Sequence, residues 1–220
     1  MKKLLLSLTI ATAALTASAQ TTPITFGVKA GATFPTVSMS ESEGSDLKLN
    51  TSFYVGGTVD FAIGETFSIQ PGITFLGKGF KMNSTETEEG VNVKTTIKSN
   101  VWHIEVPVNF LANIPVGDDK FFIGAGPYYG IAISGKNKAE GSATQDGQTV
   151  KISTSEDVDF GKDGSHKRGE FGVNFLGGYQ LSNGFNIHAG YGLGLSNIAK
   201  DADGIKVKNR VLSVGVGFSF

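Results

Sequence analysis

Apolar and polar residues alternate along this chain in one stretch after another, most plainly over its last eleven residues. From Arg210 to Phe220, Leu212, Val214, Val216, Phe218 and Phe220 share one parity, and Ser213, Gly215, Gly217 and Ser219 the other. Successive side chains of a strand point to opposite faces, so this segment has an apolar face and a small, polar one. The same alternation predicts eight strands in all, at 24–33, 50–63, 66–80, 99–111, 120–134, 169–181, 185–197 and 207–220. Phe53, Val55, Val59 and Phe61 oppose Tyr54, Gly56, Thr58 and Asp60 in the second, and Ile104, Val106, Val108 and Phe110 oppose His103, Glu105 and Asn109 in the fourth. Phe171, Val173 and Phe175 oppose Gly172 and Asn174 in the sixth, and Ile187, Ala189 and Tyr191 oppose Asn186, His188 and Gly190 in the seventh. No helical period of any length competes with this pattern.

The predicted connections sort by length. Counted from the N-terminus, the odd ones are long (34–49, 81–98, 135–168 and 198–206). The even ones are short: Gly64-Glu65, the segment 113–119, and Ser182-Asn183-Gly184, whose Asn-Gly pair is a hairpin signal. Membrane barrels have this asymmetry, with long loops outside and short turns on the periplasmic side. A soluble sandwich has no reason to sort its loops this way.

The N-terminus points to the same compartment. Lys2 and Lys3 precede a short apolar run ending in Ala17-Ser18-Ala19, which reads as a signal peptide over 1–19 with the mature domain at 20–220. Without its two lysines the mature chain carries 17 basic and 20 acidic residues, a net charge of −3, and no basic stretch that suggests nucleic acid. It has no cysteine, hence no disulfide, thiolate metal site or lipoprotein anchor. No later apolar run reaches the roughly 20 residues of a membrane helix, so a closed barrel is the main route to membrane integration. The expected fold is all-β: an eight-stranded antiparallel up-and-down transmembrane β-barrel with long extracellular loops and short periplasmic turns, in the cell outer membrane. Phe26, Phe53, Phe61, Phe67, Phe121, Phe185, Tyr191, Phe218 and Phe220 fall near strand ends on the outward parity, where aromatic girdles belong.

Candidate chemistry is sparse. Eight strands enclose a space just wide enough for side chains to fill. Inward glycines such as Gly31, Gly56, Gly172 and Gly190 leave extra room, while Tyr54, Phe122, Tyr128, His103 and His188 project into it. A plugged or water-spotted lumen is expected rather than a general porin. Inward charges need partners there. Lys29 and Asp60 on neighbouring strands are expected to pair, and Glu105 shares its face with His103 and Asn109. With Asn174 and His188 these form a polar network whose expected role is to fill the lumen and fix strand register, a proton or ion path being the alternative. His103 and His188 fall at opposite depths and are not expected to share a metal. His103 near the rim and His166, beside Asp163 and Ser165, are the one arrangement compatible with a rim enzyme, although the spacing does not require it. The acidic runs Asp157, Asp159, Asp163 and Asp201, Asp203 lack the closing glutamate of a calcium loop. No catalytic residue, metal site or cofactor is therefore assigned.

Several segments carry a resemblance. Trp102-His103-Ile104-Glu105-Val106-Pro107-Val108, Phe122-Ile123-Gly124-Ala125-Gly126-Pro127-Tyr128, Phe171 to Tyr179, and Tyr191 to Ile198 followed by Lys208-Asn209-Arg210 resemble, in order, strands of the PorT-like outer-membrane β-barrel domain family. The resemblance implies a porin-like barrel of the Gram-negative outer membrane, some of whose relatives serve secretion across the envelope. It brings no agreed catalytic residues. Phe218 and Phe220 resemble the C-terminal signal read by barrel-assembly machinery. Expected partners are outer-membrane lipid, that machinery, and envelope proteins met through the loops. The leading expectation is a structural, adhesive or envelope-assembly role without chemistry of its own. The alternatives are a small-solute channel, a rim enzyme, and a soluble periplasmic barrel with an apolar ligand inside.

Overall fold

The computed structural model describes residues 24–40, 46–88, 91–145, 148–160, 164, 166–200 and 206–220. The expected signal peptide lies outside them. The strands are β1 (Ile24–Met39), β2 (Asp46–Lys48), β3 (Ser52–Ile63), β4 (Phe67–Glu88), β5 (Val91–Val116), β6 (Asp119–Gln145), β7 (Gln148–Asp157), β8 (Gly169–Gln180), β9 (Phe185–Gly194) and β10 (Val207–Ser219). All pairings are antiparallel. They run from β1 to β3, β4, β5, β6, β8, β9 and β10, and β10 closes back onto β1. β2 is laid on β4 alone and β7 on β6 alone. The closed cycle leaves its own strands no free edge, which a structure in lipid cannot tolerate.

Burial is inverted relative to a protein in water. Phe53, Val55, Phe67, Ile73, Phe110, Ile123 and Ile187 are each about half exposed, whereas Lys78, His103, Glu105, Asn109, Glu170 and Asn209 are buried. Such an apolar band would be costly against water; hydrocarbon chains solvate it without penalty. The apolar cluster among the described residues is small, Val101, Ala132 and Val158 with Phe160 against them.

At one end the connections are tight. Gly64, Gly117 and Gly184 lie between β3 and β4, β5 and β6, and β8 and β9, and all three have positive φ (70°, 62° and 91°). Gly184 is doubly constrained, because a Cβ there would also lie 2.2 Å from the Ser219 carbonyl oxygen. The segment 113–119, expected to be a connection, is nearly all strand, with Gly117 and Asp118 left between β5 and β6.

The opposite end corrects the expected loops. Most of 81–98 is the strand pair β4–β5, continuous to Glu88↔Val91, and much of 135–168 is the pair β6–β7. β1 likewise continues past its expected end at 33 to Met39. Residues such as Val93, Thr95, Thr96 and Ile97 have strong strand preference. The segment 81–98 as a whole is polar on average because it rises above the apolar band. Low hydropathy there marked the end of the membrane and not the end of the strand.

Candidate functional site

The lumen is filled at three levels. Across its middle lies a layer of charge. Lys78 of β4 places its Nζ 2.9 Å from Glu105 Oε2 of β5 and also donates to Glu170 Oε1 of β8. The remaining carboxylate oxygens are taken up too: Asn174 Nδ2 donates to Glu105 Oε1 at 2.9 Å, and Asn209 Nδ2 to Glu170 Oε2 at 2.5 Å. The Lys78 ammonium sits 4.5 Å from the centroid of the Tyr128 ring. Five strands thus reach one ammonium and two carboxylates with every oxygen satisfied, as buried charge requires. His103 Nδ1 lies 3.2 Å from the Val101 carbonyl, which can only accept, so Nδ1 carries the hydrogen.

Toward the short turns lies a cavity of about 120 Å³ that Lys29, Tyr54, Asp60, Asn109, Phe122 and His188 help to line. Tyr54 Oη is 2.5 Å from His188 Nε2, and His188 Nδ1 is 2.8 Å from Asn186 Oδ1. The inward glycines seat the rings. A Cβ on Gly31 or Gly215 would fall 2.7 or 2.2 Å from Tyr54, one on Gly172 2.6 Å from Tyr128, and one on Gly178 2.4 Å from Phe122. Glycine here makes room for aromatic side chains that then occupy the room.

Toward the hairpins lies a second cavity, of about 240 Å³. Val37, Phe80, Val101, Ala132, Ile198 and Val207 give it apolar walls, with Lys78 and Asn209 at its charged side. Val158 and Phe160, just after β7, pack at this end of the lumen. Val158 donates its N–H to the Gly135 carbonyl at 2.9 Å and is buried against Val101 and Ala132. Arg168 stacks over Phe160 at 5.1 Å, and the His166 ring meets that phenyl edge-on.

Each residue singled out from sequence can now be placed. Glu105, His103 and Asn174 belong to or adjoin the charged layer. Asn109 is buried, and its Oδ1 faces no protein partner. Lys29 and Asp60 line the same cavity but do not form the expected ion pair: the ion pairs among the described residues are Lys78–Glu105, Lys78–Glu170 and Lys136–Asp157. Gln70 Nε2 donates to Asp60 instead, at 3.1 Å, from the adjacent strand β4. His103 and His188 are on different levels. His103 and His166 do line one cavity, and burial pushes the His166 imidazole below its ordinary range. Ser165 and Asp163 lie outside the described residues, and no cluster of metal-ligating side chains occurs within them. Phe218 and Phe220 stack on the outer surface, with centroids 6.4 Å apart.

Sequence reasoning does not pick out Lys78 and Glu170, and it gives Asn209 a place only in the Lys208-Asn209-Arg210 resemblance. The signal was there: Lys78 continues the inward parity of Thr74 and Leu76, Glu170 that of Gly172 and Asn174, and Asn209 that of Ser213.

A family model described as outer membrane protein beta-barrel domain matches residues 18–200. The chain belongs to that family. It is an outer-membrane β-barrel protein. Solved structures with a similar course include Ail, the attachment invasion locus protein of Yersinia pestis, at 16% identity and a TM-score of 0.40, covering 89% of this chain and 98% of that one. Another is the outer membrane protein OprG of Pseudomonas aeruginosa, at 13% identity and a TM-score of 0.45, covering 90% and 97%. A third is the outer membrane protease OmpT of Escherichia coli, at 11% identity and a TM-score of 0.42, covering 92% and 99%. No curated protein matches the chain.

Proposed function

We propose that this outer-membrane barrel is a closed scaffold, an eight-stranded up-and-down barrel with β2 and β7 as additions at its outer end. It performs no chemistry and passes no solute. Its work is done by the hairpins β4–β5 and β6–β7, held outside the cell in a structural, adhesive or envelope-assembly role. The observation that carries this reading is the Lys78–Glu105–Glu170 layer. Moving it aside would expose three charges whose partners are one another, at a cost of several kcal/mol. The Tyr54–His188 contact below narrows the same path. The resemblance to PorT-like barrels supports an envelope-assembly role in particular. The outward Phe218–Phe220 pair is suited to recognition by barrel-assembly machinery.

Liposome swelling tests the reading. Vesicles carrying the refolded barrel, with insertion verified by heat-modifiable gel mobility, should swell in small sugars and amino acids no faster than protein-free vesicles. Swelling that depends on solute size would replace the scaffold with a channel.

A further inference from the structure

The hairpin end of the barrel is a sheet with two unlike faces. On the side continuing the inward parity stand Ile97, Ala139, Gly141 and Ile152, in register across β5, β6 and β7. The other side continues the lipid-facing parity and is basic. Lys81, Lys98 and Lys138 are direct cross-strand partners on β4, β5 and β6. Four residues farther from the membrane, Lys94 and Lys151 lie in one row on either side of Ser142, and Lys136 lies two residues from Lys138 on the membrane side. Among the described residues, Lys136 is the member with an ion pair, to Asp157 at 3.8 Å; Glu140 shares the face without coming within ion-pair distance of a lysine. Like charges directly opposite one another destabilise a sheet. Three in one row are unfavourable unless an anion lies over them.

Their height identifies the anion. Trp102 shares the parity of Lys98, and Phe75 that of Lys81. These two rings stack at 4.9 Å, with Phe53 against the indole, as an aromatic patch on the lipid-facing surface. Four residues separate Trp102 from Lys98, about 13 Å of strand, or about 10 Å of depth at a usual barrel tilt. That is the headgroup region just beyond an aromatic girdle.

We infer that Lys81, Lys98 and Lys138 form a docking ladder for phosphate groups of the anionic lipid surrounding the barrel at its hairpin end. The inference rests on the membrane reading of the fold and is independent of whether the lumen conducts. Barrels reconstituted in phosphatidylcholine nanodiscs, with and without diphosphorylated lipid A, give the test, with retained lipid counted by native mass spectrometry. Wild type should retain lipid A and lose it progressively with added salt. A cation near an anionic membrane surface is worth about fivefold in binding, so Lys81→Gln/Lys98→Gln/Lys138→Gln together should weaken retention by about a hundredfold, and arginine at the three positions should restore it. Equal retention of dephosphorylated lipid A by wild type would overturn the proposal without reference to any variant. So would equal retention by the glutamine variant, or soluble heparin displacing the lipid, which would assign the face to a soluble polyanion. Loss of lipid binding in a non-conducting barrel leaves the scaffold reading standing, and conductance with lipid retained leaves this one standing.

Discussion

Lys78 is the residue on which the interior turns. It pairs with two carboxylates from different strands, so its removal leaves Glu105 and Glu170 buried without their cation. Lys78→Met should therefore destabilise the barrel by about 3–5 kcal/mol. Glu105→Ala should cost less, because Lys78 keeps Glu170. Urea midpoints of the refolded proteins check the order, and equal midpoints for the two variants would contradict it. Asp119, at the tight turn beyond Phe121, sets a pH dependence. It accepts from Tyr179 Oη at 2.7 Å and from the Ser182 N–H at 2.8 Å, and these hydrogen bonds hold its carboxyl below the usual range. A carboxyl depressed in the folded state contributes fully above its unfolded value, and that contribution fades as pH falls through the folded one. Asp119→Asn should remove this part of the acid sensitivity, read as a flatter unfolding midpoint against pH. At this scale the sequence told which residues point inward but not which meet. Lys29 and Asp60 sit on adjacent strands, yet Gln70 takes Asp60, and Lys78 bonds across the lumen to a strand far away in sequence. Cross-lumen contacts depend on strand tilt and register, which alternation does not encode.

The strands divide into a membrane part and a projecting part. Within the apolar band, alternation alone located them, because each lipid-facing position must be apolar and each inward one small or polar. Above the band lipid no longer imposes that rule. The strands β4, β5 and β6 continue there on β-branched residues and on pairing with one another, and hydropathy read them as loops. The projecting hairpin adds little to the stability of the barrel, since every residue of β7 is exposed. Replacing residues 141–152 with Asn-Gly, which joins the facing pair Glu140↔Ser153 by a two-residue turn, should leave the thermal midpoint and the heat-modifiable gel shift unchanged. Val158→Ser is expected to be different. It places a hydroxyl against Val101 and Ala132 and removes a buried methyl, at about 1–3 kcal/mol, so its midpoint should fall where that of the shortened hairpin does not.

The whole molecule is a barrel turned inside out, with its buried charges gathered at the centre and most of its phenylalanines on the outer surface. Fold class was legible because membrane barrels have few solutions: every backbone group must pair, no edge can stay open, and one face must be apolar. What fills the lumen was legible in kind and not in detail. Inward glycines suggested space, but a glycine beside an inward tyrosine is a seat for that ring, as Gly31 and Gly215 are for Tyr54. The closed lumen is the central claim, and single-channel recording of the refolded protein in planar bilayers tests it most directly. A bilayer containing inserted barrels should stay silent, with no steady and uniform current steps at moderate voltage. Reproducible steps of one size from the wild-type chain would contradict the account, because they require a continuous water path through the Lys78–Glu105–Glu170 layer.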